Sequence, residues 1–275
     1  WRMSEAGVLA AGFDSLHDQA HSGRMGNFAR AIITPEAQLR TGDRVRFRLI
    51  NVATDRIFPV ELTGIQGKVV ALDGMPLTTP QDIADLVLTP AQRVDIIADV
   101  TSPQTVQFLF PTADSPYVMG EISIDGINEL RVGSPIAPLP ANKMAQPDLD
   151  MALSLTLTME GGAMSRRSAS LSDIWGLNGQ SGLTDRPFHD FNRGQTARIS
   201  LVNDTRFPHG IHLHGHHFFE LNADGEPGAF RDTTLIEAGE TRDILCVFDN
   251  PGKWLLHCHM LGHQAAGMKT WVNVS

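Results

Sequence analysis

The chain has 275 residues, 42% of them hydrophobic, which is enough to bury the core of one or two globular domains. Its 22 lysines and arginines against 31 aspartates and glutamates give a net charge of −9. This charge repels phosphate backbones, so we expect no nucleic acid partner. The sequence contains no run approaching the roughly 20 apolar residues that span a bilayer, so we expect no membrane span either.

The beginning of the chain and its cysteines set two further expectations. Trp1-Arg2-Met3-Ser4-Glu5 resembles neither an initiator methionine nor a signal peptide, so we expect a cut N-terminus. The two cysteines, Cys246 and Cys258, are too few for a disulfide framework. Cys246 lies in an apolar strand-like stretch and is predicted to be a buried free thiol.

An internal repeat divides the sequence. Residues 42–51, GDRVRFRLIN, resemble residues 194–203, GQTARISLVN, and in both a glycine precedes apolar residues at every second position. With small gaps the resemblance continues in four more pairs: Phe58-Pro59 with Phe207-Pro208, Gly64 with Gly215, Asp73-Gly74 with Asp224-Gly225, and residues 93–96 with 241–244. Thr, Val and Ile dominate these periodic stretches, which favours strands. The sequence predicts an all-β fold of two antiparallel β-sandwiches.

Two short helices are predicted within this β pattern. Thr79 can act as an N-cap with Pro80 in the first helical position, for a helix ending near Ala84. A second helical turn is expected directly after Met260.

A proline-rich stretch separates the two copies. Residues 134–140, SPIAPLP, are too rich in proline for a central strand and are typical of an extended linker. We therefore predict a first domain at residues 1–133, a linker at 134–147 and a second domain at 148–275.

Two histidine clusters lie in the second copy and contain six of the eleven histidines. They are His209-Gly210-Ile211-His212-Leu213-His214 and His257-Cys258-His259-Met260-Leu261-Gly262-His263, and Met268 follows the second cluster. Successive side chains of a strand point to opposite faces, so His257 and His259 are expected on one face and Cys258 on the other. One strand would then serve two metal sites.

The side chains around Cys258 have the chemistry of a blue copper site. Cys258, His263 and Met268 offer a thiolate, an imidazole and a thioether, and His209 can complete a trigonal set with a weak axial methionine. A structural zinc is the rival interpretation. Zinc would close with four ligands and leave the other histidines of the clusters without a role, and a thioether ligand favours copper.

These residues resemble the motifs HxxHxH and HCHxxxHxxxxM of the multicopper oxidases, and they match at every ligand position. The resemblance implies cupredoxin-like Greek-key domains and copper as cofactor. It implies that His209, Cys258, His263 and Met268 bind type 1 copper, that His212 binds type 2 copper, and that His214, His257 and His259 bind the type 3 pair. It further implies that Cys258 and its flanking histidines conduct electrons to a cluster that reduces dioxygen to water.

The resemblance covers the whole chain, because residues 1 to about 133 are similar to the family's copper-free middle domain. Glu61 and Thr63 stand where the second copy has His212 and His214. The family's first cupredoxin domain, which supplies the other half of the trinuclear ligands, is expected as a missing partner. His17 and His21 lie four residues apart in a polar segment and do not replace it. We therefore expect a complete type 1 site, partial type 2 and type 3 sites, and no oxidase activity from the isolated fragment.

The resemblance also bears on substrate and location. A laccase-like enzyme would take electrons from a small phenol, an aromatic amine or a metal ion, and such enzymes are commonly periplasmic or secreted. A cuprous oxidase is an alternative, although no methionine lies between His217 and His257. A blue-copper electron-transfer module is a second alternative, but His257 and His259 would then have no purpose. A purely structural domain agrees least with the ligand set.

Overall fold

A computed structural model describes residues 3–6, 16–23, 25–34, 38–128, 134–163, 170 and 172–275. Of the described residues, 51% lie in strands and 3% in helices, so the predicted all-β, cupredoxin-like class is confirmed. Among the described residues, no helix is long and apolar enough to cross a bilayer.

The chain forms two successive sets of strands, which we call the first and second sandwich. The N-terminal part contains a helix, α1 (Leu16–Ala20), and the first sandwich consists of β1 (Leu39–Thr41), β2 (Arg44–Ile50), β3 (Phe58–Thr63), β4 (Ile65–Leu72), β5 (Met75–Asp82), β6 (Leu86–Leu88), β7 (Arg93–Val100), β8 (Thr105–Phe110) and β9 (Tyr117–Ile127). The second sandwich consists of β10 (Leu153–Gly161), β11 (Trp175–Leu177), β12 (His189–Phe191), β13 (Gln195–Asn203), β14 (His209–Leu213), β15 (Phe218–Leu221), β16 (Pro227–Arg231), β17 (Thr233–Ile236), β18 (Thr241–Phe248), β19 (Gly252–Cys258), α2 (Leu261–Ala265) and β20 (Lys269–Val274).

The two sandwiches share one pattern of strand pairing. In the first, the sheets have the orders β1-β9-β8-β3-β6 and β2-β7-β4-β5. In the second, the corresponding orders are β12-β20-β19-β14-β17 and β11-β10-β13-β18-β15-β16. The repeat in the sequence therefore corresponds to a repeat in topology, with β10 and β11 as an addition. Most neighbours are antiparallel, but β1 with β9, β10 with β13, and β12 with β20 are parallel.

Each sandwich has its own hydrophobic cluster. Phe47, Ile96 and Phe108 lie in the first cluster. In the second, Phe191 and Phe248 stack with ring centroids 3.6 Å apart. The inward positions alternate with outward ones along β2 and β13, as the period-two pattern requires. Burying each such aromatic side chain stabilises the fold by about 1.5–3 kcal/mol.

One of the two predicted helices is wrong and the other forms. Residues 79–82 belong to β5, which ends at Asp82 and pairs with β4 at the edge of its sheet. Pro80 lies at a shift of register in that ladder, where a residue without an N–H group is tolerated. The helical turn after Met260 is present as α2.

Residues 134–147 contain no strand or helix. The carbonyl oxygens of Ser134 and Pro135 accept hydrogen bonds from the Arg44 guanidinium at 2.8 and 3.4 Å, which holds this stretch against β2.

Candidate metal centre

Strands β14 and β19 bring the two histidine clusters side by side. In their antiparallel ladder His212 is opposite His257, and Ile211 is opposite Cys258. His257 and Cys258 are consecutive, so they project from opposite faces of the sheet. The strand register thus separates the cluster residues into two groups. In the first sandwich, Glu61 and Leu109 are paired at the positions that correspond to His212 and His257. These two side chains do not form a pair of metal ligands.

The first group consists of His209, Cys258 and His263, which we call the thiolate group. Their ligand atoms all lie within 4.8 Å of one another, and all three side chains are fully buried. The two imidazole Nδ1 atoms are 3.0 Å apart, and each is 3.8 Å from the Cys258 Sγ. The donors therefore form a compact triangle.

Hydrogen bonds at the far side of both imidazoles orient their lone pairs into this triangle. His263 Nε2 donates to the His21 carbonyl at 2.6 Å, so its Nδ1 carries no proton in the neutral ring. His209 Nε2 lies 2.9 Å from Thr205 Oγ1. The Thr205 hydroxyl has its own acceptors, including Asn203 Oδ1 at 2.7 Å, so it accepts from His209. Both Nδ1 lone pairs consequently point toward each other and toward the sulfur.

Met268 closes the loop that carries His263. Its N–H donates to the His263 carbonyl at 3.0 Å, and its own carbonyl accepts from the Cys258 N–H at 3.1 Å. The side chain is buried in the same hydrophobic cluster as Cys258. Trp175 covers the group from another side, with its ring centroid 4.4 Å from that of His263 and 5.0 Å from that of His209.

Burial tunes the acid–base behaviour of these groups. It lowers the pKa of His263 to about 4 and that of His209 well below its usual range, so both imidazoles are neutral near pH 7. Burial raises the pKa of the Cys258 thiol to about 12. A metal that binds the sulfur must therefore displace a proton.

The second group, which we call the histidine group, consists of His212, His214, His257 and His259. Ring centroids of neighbours lie 4.8 Å apart for His212 and His214, 5.1 Å for His214 and His257, and 5.4 Å for His257 and His259. The Nε2 atoms of His214 and His257 are 3.1 Å apart. Burial lowers the pKa of His257 to about 3 and also lowers the pKa of His214 and His259. This side of β19 is therefore rich in neutral imidazoles.

Their hydrogen bonds again leave nitrogen atoms free for a metal. His257 Nδ1 donates to the Cys258 carbonyl at 2.8 Å, and His212 Nδ1 donates to the Asp232 carbonyl at 2.9 Å. The Nε2 atoms of both rings then hold lone pairs. His259 Nδ1 is buried and has no hydrogen-bond partner among the described residues.

Both groups fit bound metal better than an ordinary packed interior. Lone pairs of two imidazoles that face each other at 3.0 Å repel, and the one proton of Cys258 can satisfy only one of them. A buried imidazole nitrogen without a partner is costly for the same reason. A cation removes both penalties, and two imidazoles with a thiolate and a nearby thioether are the donor set that copper prefers.

Comparison with known proteins adds to this geometry. A family model described as "Multicopper oxidase" matches residues 148–275, and a second model of the same description matches residues 10–114. The chain belongs to the multicopper oxidase family.

Individual multicopper oxidases show the extent of the similarity. "Multicopper oxidase MmcO" of Mycobacterium tuberculosis is 33% identical over 248 residues, which are 84% of this chain and 46% of that protein. "Laccase-1" of Melanocarpus albomyces is 27% identical over a gapped alignment of 318 residues, which covers 88% of this chain and 48% of that protein. The chain thus spans about half the length of the curated relatives it matches.

Among solved structures, that of Lac15 from a marine microbial metagenome is 58% identical, with a TM-score of 0.81. The match covers 100% of this chain and 63% of that chain. The multi-copper oxidase of Pseudomonas thermotolerans is 26% identical with a TM-score of 0.84, covering 100% of this chain and 66% of that one.

In this member of the multicopper oxidase family, several contacts around the candidate ligands come from residues that the sequence motifs did not identify. His21, Trp175 and Thr205 contact the thiolate group, and Asp232 and Thr233 contact the histidine group. Some of these residues are distant in sequence from the residues they contact, and the others belong to no recognisable metal-binding motif. No sequence signal therefore identifies them. His216 packs against Phe248 and Trp254, whereas His217 lies 3.6 Å from an Asp232 carboxylate oxygen.

Proposed function

We propose that this chain is the part of a laccase-like multicopper oxidase that receives electrons from a reducing substrate and passes them toward a dioxygen-reducing centre. The observation that carries the proposal is the sequence His257-Cys258-His259, which places the thiolate group and the histidine group on opposite faces of one strand. An electron-transfer module alone has no use for the second group.

The ligand assignment is part of this proposal. His209, Cys258, His263 and Met268 would hold type 1 copper, His212 would hold type 2 copper, and His214, His257 and His259 would contribute to the type 3 pair. When bound, copper would supply one-electron oxidation of the substrate at the first site and four-electron reduction of dioxygen to water at the second.

The protein's own residues perform the other tasks. The buried surroundings of His209 and Cys258 exclude water from the sulfur. The His21 carbonyl and Thr205 hydroxyl hold the two imidazoles with their Nδ1 atoms inward. The Cys258 carbonyl orients the His257 ring, and because His257 and Cys258 are consecutive, a short path of covalent bonds and one hydrogen bond joins the two groups.

The remaining parts of the proposal concern the whole protein. We infer that residues 1–133, 134–147 and 148–275 are a copper-free domain, a linker and the copper-binding domain, and that a further cupredoxin domain completes the trinuclear ligands. The support is the length of the relatives, which is about twice the matched part. Such a protein would be periplasmic or secreted. Without the further domain we expect no oxidase activity.

The substrate is proposed to be a small phenol or aromatic amine. Oxidation of a metal ion is the second candidate, because 81 residues are 38% identical to "Copper resistance protein A" of Pseudomonas syringae. The measurement that separates the two is dioxygen uptake by the whole protein with a phenol or with cuprous ion as the reductant.

The first test uses copper reconstitution of this chain and two cysteine variants. The wild-type chain should develop an intense visible thiolate-to-copper band. Cys258→Ser should lose the band and remain folded. Cys246→Ser is the matched control, because Cys246 is equally buried but lies outside the thiolate group.

Bound metal is counted by elemental analysis in the same samples. A blue Cys258→Ser variant, or a wild-type chain that takes up zinc and no copper, would contradict the proposed site. Loss of colour in Cys246→Ser alone would place the thiolate ligand at Cys246.

A further inference from the structure

A charged contact joins the two sandwiches beside the histidine group. The Arg93 guanidinium of β7 donates two hydrogen bonds to the Asp232 carboxylate, Nη1 to Oδ1 at 2.9 Å and Nη2 to Oδ2 at 2.6 Å. The Asp232 side chain is 10% exposed. Paired two-point contacts of this kind hold both partners in one orientation.

From Asp232 the hydrogen bonds continue to His212 in a defined direction. Thr233 Oγ1 donates its one proton to Asp232 Oδ1 at 2.8 Å. The Thr233 hydroxyl oxygen is also 3.0 Å from His212 Nδ1. Because its own proton is donated to Asp232, it accepts a hydrogen bond from His212. The Asp232 carbonyl also accepts from His212 Nδ1, at 2.9 Å. The Arg93 contact thus holds the Asp232 carboxylate that sets the direction of the Thr233 hydroxyl, and this hydroxyl and the Asp232 carbonyl both accept from His212 Nδ1.

Two neighbours of Arg93 in the first sandwich support the same stretch. Gln92 Nε2 donates to the Thr233 carbonyl at 3.0 Å, with Gln92 buried. Asp73 Oδ1 accepts from the Arg93 N–H at 2.8 Å, and Asp73 Oδ2 lies 3.4 Å from the Thr233 N–H. Contacts from the first sandwich therefore hold Asp232 and Thr233 in addition to the pairing of β17 with β14 in their own sandwich.

We propose that Arg93 of the first sandwich, acting through Asp232 and Thr233, is a positioning residue that holds His212 as the Nδ1–H tautomer with its Nε2 lone pair free for a metal. This gives the copper-free sandwich a direct part in preparing the metal site of the other. The consequence for copper binding rests on the proposed function, whereas the tautomer of His212 is a property of the metal-free chain.

The test is nitrogen-15 NMR of the histidine side chains in the metal-free 275-residue chain. The His212 signals are identified by their absence in His212→Asn. In the wild-type chain we expect the Nδ1–H tautomer with a slowly exchanging Nδ1 proton. In Arg93→Met that proton should exchange about 2- to 10-fold faster, the factor that corresponds to one weakened hydrogen bond, and the tautomers should mix.

Two further variants separate positioning from stability. Arg44→Met removes an equally bidentate pair with Asp99, at 2.7 and 2.8 Å, within the first sandwich, and should leave His212 unchanged. Arg93→Lys keeps the charge but not the forked geometry, so it should restore only part of the wild-type signal. The signals of His209 and His263 should stay constant in all variants.

Unchanged His212 signals in Arg93→Met would overturn the proposal, and so would an equal change in Arg44→Met. If Arg93→Met does not fold, Asp232→Asn tests the same chain of bonds, because an amide in place of the carboxylate weakens the pair with Arg93. Because no metal is needed, the result does not depend on whether the chain binds copper.

Discussion

Gly267 immediately precedes Met268 and has a φ of +117°, a backbone conformation that residues with a Cβ rarely adopt. A Cβ at this position would also overlap Ser181 Oγ and the Trp175 carbonyl oxygen. Of these two residues, Trp175 packs against the thiolate group. At the residue scale, the path of the chain into Met268 thus depends on the absence of one side chain.

We predict that Gly267→Ala lowers the free energy of unfolding by at least about 3 kcal/mol, because steric overlap adds to backbone strain. Gly225→Ala is the matched control: its φ is +85°, but no heavy atom of the described residues lies within 4 Å of an added Cβ. It should cost only about 1–2 kcal/mol of backbone strain. Urea unfolding measures both, and equal losses would show that overlap at Gly267 is relieved without cost.

At the scale of elements, the helix α2 depends on two residues from the first sandwich. The Asp55 carboxylate accepts a hydrogen bond from the Gly262 N–H at 2.7 Å, in the first turn of α2. The Thr54 carbonyl accepts from the Leu261 N–H at 2.8 Å. Free N–H groups at the start of a helix need such acceptors, and α2 has no side-chain cap of its own. Asp55 and Thr54 therefore fix the turn that carries His263.

Asp55→Ala should lower the free energy of unfolding by about 1–2 kcal/mol and speed exchange of the Gly262 amide proton. Asp55→Asn should cost less, because its amide oxygen still accepts. Asp43→Ala serves as the control, since Asp43 accepts from the Arg40 N–H at 2.8 Å in a turn of the first sandwich. Hydrogen exchange followed by NMR would contradict the idea if Gly262 were equally protected in Asp55→Ala.

At the scale of the whole molecule, the second sandwich buries several neutral imidazoles in its interior. Burial lowers the pKa of His263 to about 4 and of His257 to about 3, from an ordinary value of 6.5. The unfolded chain regains the ordinary value. Between about pH 6.5 and about pH 4, unfolding therefore takes up protons. Stability of the metal-free chain is retained above this window and lost as the pH falls through it.

We expect each such histidine to contribute up to about 1.4 kcal/mol of lost stability per pH unit within the window. Urea unfolding of the metal-free chain at several pH values between about 7.5 and about 4.5 measures the slope. The variant His263→Asn should show a shallower slope than the wild type. A stability that stays flat across this range would mean that the buried histidines take up protons in the folded protein at the same pH as in the unfolded chain.

Much of the fold could be predicted because the relevant signals are local. The alternation in residues 42–51 and 194–203 specifies strands, and these segments form equivalent strands, β2 and β13. The helix predicted at Thr79-Pro80 was wrong because Thr-Pro is typical of a helix start but is also compatible with an edge strand. Whether β5 lies at an edge depends on the sheet order, which residues 79–84 do not encode locally.

By itself the sequence determined the all-β class, the repeat, the family, and the distribution of the histidines and Cys258 over two faces of one strand. These features follow from period and spacing, which short-range geometry converts directly into structure. Only the tertiary structure decided which groups orient those side chains. The His21 carbonyl, the Asp55 carboxylate and Arg93 approach the two groups from residues far away in the chain. Such contacts arise from packing between distant parts of the chain, and no local pattern in the sequence records them.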